Sequence, residues 1–312
     1  MGWYNLNLSK KFRLLKEEYN QFSAMIEIQS LVDEVLKESD NSEKNNEELY
    51  SNQNLNQKPK LFQYWHQGFG ELPEVIYNCY LTVDHFLSND FEIVRIDFDT
   101  LSDYIKLPDY IIKAREEERM TIAHFSDIIR NKLLFDYGGL WLDSSVMITS
   151  TERVRDFYGS RKVAFQNAAV FSNPKEHPVL VGSWMIWSKE ANNETFGLSQ
   201  KILEKYWQNN RFVSDYFLYH IIISDIIRKS PAIREEIKWH KRYYSNNSLD
   251  ILFFYLNRSF NYDEIKHLFK NIGIHKLDFK AIKSSDNENL NYSILYCKNK
   301  FEKLIWRKYI NE

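Results

Sequence analysis

The order of apolar and polar positions divides the chain into alternating helices and strands. From Lys10 to Ser39, Phe12, Leu15, Tyr19, Phe22, Met25, Ile28, Val32 and Val35 recur at helical spacing among Lys and Glu, which predicts one long helix or two shorter ones. Residues 38–60 are polar and Asn-rich with almost nothing to bury, the pattern of a linker or loop. Leu61 to Trp65 is an aromatic-rich strand running into His66-Gln67-Gly68, Glu74 to Leu87 is helical, and Phe91 to Ile96 alternates as a strand. Val163 to Phe165 and Ser183 to Trp187 are further strands, and Leu198 to Trp207 and the stretch from Asp215 through Ile227 are further helices. The alternation predicts an α/β fold with a mostly parallel sheet and helices on both faces. It also divides the chain into an N-terminal helical extension with its polar linker, 1–58, and a main domain, 59–312.

One stretch changes period partway along. In Thr121 to Thr149, Ala123, Ile128, Leu133 and Leu134 share a helical face with Asp127, Arg130 and Asn131 among them. Ser126 and Asp127 are candidates to cap that helix, unless its apolar pattern begins earlier. Gly138 and Gly139 then stop it, because glycine takes the left-handed turn that a side chain resists. Leu140-Trp141-Leu142 follows as a short strand that delivers Asp143, Ser144 and Ser145 at its C-terminal end. Ligands of open α/β sheets bind at such ends, so Asp127, Arg130 and Asp143 are expected to converge. An ordinary helix, turn and strand with a solvated Asp at its edge is the competing reading.

Composition narrows the classes. The 312 residues carry 41 basic and 43 acidic side chains, a net charge of −2, which gives no footprint for nucleic acid. Two cysteines, Cys79 and Cys297, argue for neither a disulfide framework nor a metal cluster. No apolar run approaches the roughly 20 residues that span a bilayer, and the reading is of a soluble, cytoplasmic protein. Aromatics make up 16% of the chain; most must fill the core, with some left to stack on sugar or base. Trp306, Arg307 and Lys308 lie in a closing apolar-basic helix that either packs on the domain or touches a membrane surface.

The segment SDIIRNKLLFDYGGLWLDSSV resembles the SD-x-x-R…LL-x-x-YGG-x-(Y/W)-x-D-x-(D/T/S) signature of the capsular polysaccharide synthesis glycosyltransferases, relatives of the DXD enzymes of glycosyltransferase family 32. The likeness extends to Trp65-His66-Gln67-Gly68, to Leu107-Pro108-Asp109-Tyr110 and to the late His275-Lys276-Leu277. It implies a GT-A-type, Rossmann-like domain that moves a hexose, glucose or galactose, from a UDP-sugar to a capsular or other surface glycan with retention. It further implies that Asp127 and Arg130 hold the donor sugar, with Trp141 and the glycines 138 and 139 bordering the donor. Trp65 would lie against the nucleobase with Gln67 nearby, Asn167 would border the sugar site, and Asp215 would fix sugar hydroxyls unless it simply caps its helix. Asp97 and Asp99 mimic a metal pair and are read as loop and cap residues.

The family's second motif carboxylate, a direct ligand of Mn²⁺ or Mg²⁺, is Ser145 here, and a neutral hydroxyl is a weak ligand for a hard cation. Either Asp143, Ser145 and His275 hold the metal together with the diphosphate, or metal dependence is weak and Lys276 shares the work. The acceptor is a glycan, a lipid-linked oligosaccharide or a glycoprotein. The rival readings are a non-catalytic nucleotide-sugar-binding homologue and a scaffold subunit of a glycan-assembly complex.

Overall fold

A computed structural model describes residues 8–42, 57–159, 161–167, 178–209, 212–237, 252 and 269–277. Its centre is a five-stranded sheet of β1 (Lys60–Tyr64), β2 (Glu92–Ile96), β3 (Gly139–Leu142), β5 (Val163–Asn167) and β6 (Val181–Ser188), in the order β2-β1-β3-β6-β5. Strands β1, β2 and β3 are parallel, and β6 runs against both β3 and β5, so four of the five strands share one direction. A small second sheet pairs β4 (Val146–Ile148) with β7 (Ile274–Lys276).

Strand alternation sorts the side chains into two cores. Phe62, Tyr64, Val94, Ile96, Trp141, Phe165 and Ile186 face the larger one. It is closed by α1 (Leu8–Ser42), α3 (Asp109–Glu116), α4 (Ile122–Tyr137), α6 (Glu194–Asn209) and α7 (Leu218–Lys229). Leu61, Leu140, Leu142, Ala164, Met185 and Trp187 face the smaller one, with α2 (Glu74–Leu87), β4 and α5 (Thr151–Tyr158). Strands buried on both faces are apolar nearly throughout, which is why β3 and β6 read as runs, whereas the edge strand β2, with Glu92 exposed, reads as an alternation. This is the mixed α/β arrangement, mostly parallel and flanked by helices, that the sequence leads one to expect.

Connectivity locates the functional edge. From β1 the chain crosses through α2 to β2 on one side, then returns through α3 and α4 to β3 on the other side of β1. The two crossovers lie on opposite faces, so the connections diverge between β1 and β3. That is the topological switch point, where a crevice opens beyond the strand ends.

The N-terminal segment is one 35-residue helix, α1. Its stripe of Ala24, Ile28, Val32 and Val35 joins the larger core against α6 and α7, and Lys205 and Lys229 pair with Glu34, Glu38 and Asp33 at its margin. Phe12, Leu15 and Tyr19, nearer its start, are exposed. The linker residues 43–56 and the closing segment with Trp306 lie outside the described residues. Among those described, no helix is long and apolar enough to cross a membrane.

Candidate active site

Helix α4 starts earlier than Ser126: Thr121 caps it, accepting a hydrogen bond from the His124 amide at 3.1 Å. With the start moved back by a turn, Asp127 and Arg130 fall in mid-helix on the face toward the sheet, both nearly fully buried. At the helix end the two glycines have a backbone task. Gly138 and Gly139 adopt φ +68° and +92°, and a Cβ on Gly139 would fall 2.3 Å from the Lys60 carbonyl oxygen. Gly139 lets β3 lie against β1, Gly138 packs on the backbone of Glu190 and Ala191, and both stand at the opposite end of β3 from Asp143, Gly139 about 13 Å away at about 3.3 Å per residue. The structure does not bring them to the cluster below.

Asp143 follows Trp141 by two positions, so both side chains project to the α4 side, and the Trp141 indole donates to Asp143 Oδ1 at 2.9 Å. The Arg130 guanidinium lies 4.9 Å over the Trp141 ring and reaches Asp143 Oδ1 at 3.3 Å and Asp127 Oδ1 at 2.8 Å. The expected convergence of Asp127, Arg130 and Asp143 is therefore present. The Arg130 fork, however, is turned inward. Nη1 also donates to the Ser183 carbonyl at 2.9 Å and to its hydroxyl, and Nη2 to Ser126 Oγ at 3.2 Å. With both Nη groups spent on protein and Nε buried, Arg130 braces Asp143 from behind.

Exposure separates brace from working face: the Asp127 and Arg130 side chains are 5% and 6% exposed, those of Asp143 and Lys276 24% and 25%. Lys276 comes from β7, next to β4, and donates to Asp143 Oδ2 at 2.9 Å and to Ser145 Oγ at 2.7 Å. The turn beneath is fixed by Ser144, which donates to the Tyr64 carbonyl at 2.9 Å and pairs with the Tyr80 hydroxyl at 2.8 Å. Backbone bonds from Asp143 to Trp184 and from Leu277 to Ser145 complete it.

The electrostatics follow from these contacts. Burial works against charge on Asp143, but Lys276 and then Arg130 outweigh it and hold the carboxyl at about 2. At Asp127 burial wins over the pull of Arg130 and drives the carboxyl up. Behind it His124 is held neutral by burial and by Arg130, lowered to about 3; its Nε2 accepts from the Trp207 indole at 3.0 Å, which leaves the Nδ1 proton facing Asp127 Oδ2 at 3.9 Å.

The other expected site residues are scattered. Trp65, half-buried, and Gln67, exposed, follow β1, and Asn167 ends β5; all three lie at the sheet edge that carries Asp143. Asp215 precedes α7 and accepts from the Phe217 amide at 2.7 Å, with Glu17 of α1 as its charged neighbour. No contact among the described residues ties it to the cluster. His275 is fully buried and paired with Thr149 Oγ1 at 2.9 Å; adjacent strand residues point to opposite faces, so it turns away as Lys276 turns toward Asp143. Asp97 and Asp99 are loop residues, and Asp97 Oδ1 accepts from the Thr100 amide and hydroxyl.

For a divalent cation, the loop thus offers one carboxylate and one hydroxyl, both already bound to an ammonium. Among the described residues no group of three or more His, Cys, Asp or Glu side chains could hold a metal ion. The parts of Ser183 and Tyr80 were not foreseen, and Ser126 and Ser144 stood out only as a cap candidate and a strand-end residue. Ser126 had a signal in its place one turn before Arg130; Ser183 works partly through its carbonyl, which every residue has.

The profile of the capsular polysaccharide synthesis protein family matches residues 11–295, most of the chain. The chain belongs to that family. The chain is also 26% identical over 140 residues to the O-glycosyltransferase PaGT of Phomopsis amygdali. That match covers 41% of the chain and 34% of PaGT, so the chain spans about a third of that relative's length. Among solved structures the PaToxG glycosyltransferase aligns with 83% of the chain and 96% of its own, at 12% identity and a TM-score of 0.40.

Proposed function

We propose that this protein is a glycosyltransferase of the GT-A type that moves a hexose, glucose or galactose, from a UDP-sugar to a surface or capsular glycan with retention. The observation that carries the proposal is a braced carboxylate and ammonium, Asp143 and Lys276, set side by side at the β1/β3 switch point. Sugar transfer breaks the bond from the anomeric carbon to the diphosphate and forms one to an acceptor oxygen, whose proton the diphosphate takes up. Negative charge therefore grows on the diphosphate and positive charge on the ring. A pre-positioned ammonium stabilises the first, and a carboxylate kept ionised by its neighbours orients hydroxyls and stabilises the second. Trp65, at the same edge, would stack on the base. The acceptor is a glycan, a lipid-linked oligosaccharide or a glycoprotein met at the cytoplasmic face of the membrane.

The test is a screen of nucleotide sugars against purified protein, reading binding by thermal shift and donor hydrolysis by chromatography. A UDP-hexose should stabilise the protein and be consumed, and Asp143→Ala should remain folded and abolish turnover. Wild-type turnover by Asp143→Ala on an assigned donor would remove Asp143 from the chemistry. No stabilisation by any nucleotide sugar would favour the scaffold reading.

A further inference from the structure

The residue that departs from the D-x-D pattern and the lysine that faces it are two halves of one change. We propose that the Lys276 ammonium occupies the cation seat of this site, so that the chain binds its donor diphosphate without a resident divalent metal. The inference rests on the nucleotide-sugar reading and says how that donor is held.

Three observations converge. Lys276 Nζ bonds both residues that a metal would bridge, Asp143 Oδ2 at 2.9 Å and Ser145 Oγ at 2.7 Å. The charge count closes: two carboxylates with a divalent ion sum to zero, and so do the single Asp143 carboxylate and one ammonium. Replacing the second Asp by Ser145 and the metal by Lys276 leaves the local charge unchanged, whereas a divalent ion added beside Lys276 would leave two positive charges in excess. Finally, His275, the nearest candidate for a third ligand, is buried on the other face of β7 and paired with Thr149.

An ammonium has three N–H donors. Asp143 and Ser145 take two, and no described residue takes the third. With a quarter of the side chain exposed, that third donor is available to a diphosphate oxygen arriving from solvent.

The experiment has two arms. In the first, protein without nucleotide is titrated with Mn²⁺ and free Mn²⁺ is read by electron paramagnetic resonance. Wild type should leave the signal unchanged, and the double variant Ser145→Asp/Lys276→Ala, which rebuilds the paired carboxylates, should quench it. In the second, UDP binding is measured by calorimetry in EDTA. Wild type should bind, and Lys276→Ala should bind roughly tenfold or more weakly, as the loss of one charge-assisted hydrogen bond requires. Lys276→Met keeps the packing of the stem should the alanine variant not fold.

Mn²⁺ binding by wild type, or UDP binding that vanishes in EDTA and returns with Mn²⁺, would overturn the inference; so would equal UDP affinity of wild type and Lys276→Ala in EDTA. If no variant binds UDP under any condition, it is the nucleotide-sugar reading that falls. The Mn²⁺ arm then still decides what occupies the seat.

Discussion

Asp143→Asn is the sharpest probe of the cluster, because it keeps the shape and removes the charge. Trp141 and Arg130 both donate to Oδ1, and an amide oxygen can still receive them. Lys276 donates to Oδ2, which becomes an NH₂ group, so the ammonium loses its charged acceptor. The carboxyl is held at about 2 against an ordinary 3.8. At about 1.4 kcal/mol for each tenfold change in acidity, that lowering corresponds to about 2 kcal/mol of stability. The sign is that of a depressed acid: the contribution is complete above 3.8 and is lost as pH falls through about 2. The deficit of the variant should therefore be the same at roughly pH 7.5 and pH 5.5, and should narrow only below about pH 4. In urea unfolding, a slope of about 3 kcal/mol/M turns it into a midpoint drop of roughly 0.7 M at both pH values. Equal midpoints for wild type and variant, or a deficit that fades between those two pH values, would refute the electrostatic account of the cluster.

Other consequences follow from the same geometry. Arg130→Lys cannot span Asp127, Asp143, Ser126 and the Ser183 carbonyl with one point charge, so kcat/KM on an assigned donor should fall by roughly tenfold or more despite the conserved charge; a rate equal to wild type would show that the brace is dispensable. Gly139→Ala should cost about 3 kcal/mol or more, or abolish soluble expression, because it combines a positive φ with a clash on backbone; a thermal melt decides. His124 and His275 are both lowered to about 3, chiefly by burial. For a depressed histidine the stability is complete above about 6.5 and is lost below it; His220 is lowered to about 3 in the same way, so each of the three contributes a fall of up to about 1.4 kcal/mol per pH unit between roughly pH 6 and 4, which the raised Asp127 carboxyl offsets in part with the opposite sign. His275→Phe should shallow that slope by about one proton and leave UDP binding unchanged; a binding loss there would return His275 to the site.

Much of the frame was legible because the inner strands, buried on both faces, are nearly all apolar, while the edge strand β2 keeps an alternation. Leu61 to Trp65, Phe91 to Ile96 and Ser183 to Trp187 could be read as strands, and α2 was read at its observed bounds, Glu74 to Leu87. Val146–Ile148 escaped notice as β4 because three apolar residues after a turn carry no period, and their partner β7 is 128 residues further on in the Met147–His275 register. The convergence of Asp127, Arg130 and Asp143 could be inferred from helix, turn and strand order. The inward turn of the Arg130 fork could not, because it depends on Ser183, brought in by a strand 53 residues later. The glycines carry a backbone task that their pattern does not specify: Gly139 lets β3 touch β1, and Gly138 packs on the backbone of Glu190 and Ala191. His275 and Lys276 look alike as candidates on paper, and only the side of β7 on which each falls separates them.

The seating of α1 has a consequence for the order in which the chain is assembled. Glu34 and Asp33 meet lysines 171 and 196 residues further along. During synthesis the helix therefore leaves the ribosome with its apolar stripe uncovered and waits for α6 and α7 before it can settle. Contacts of such long range slow folding and prolong exposure to chance partners. The larger core can close only after synthesis has passed α7, which makes α1 the early-made piece whose docking comes late.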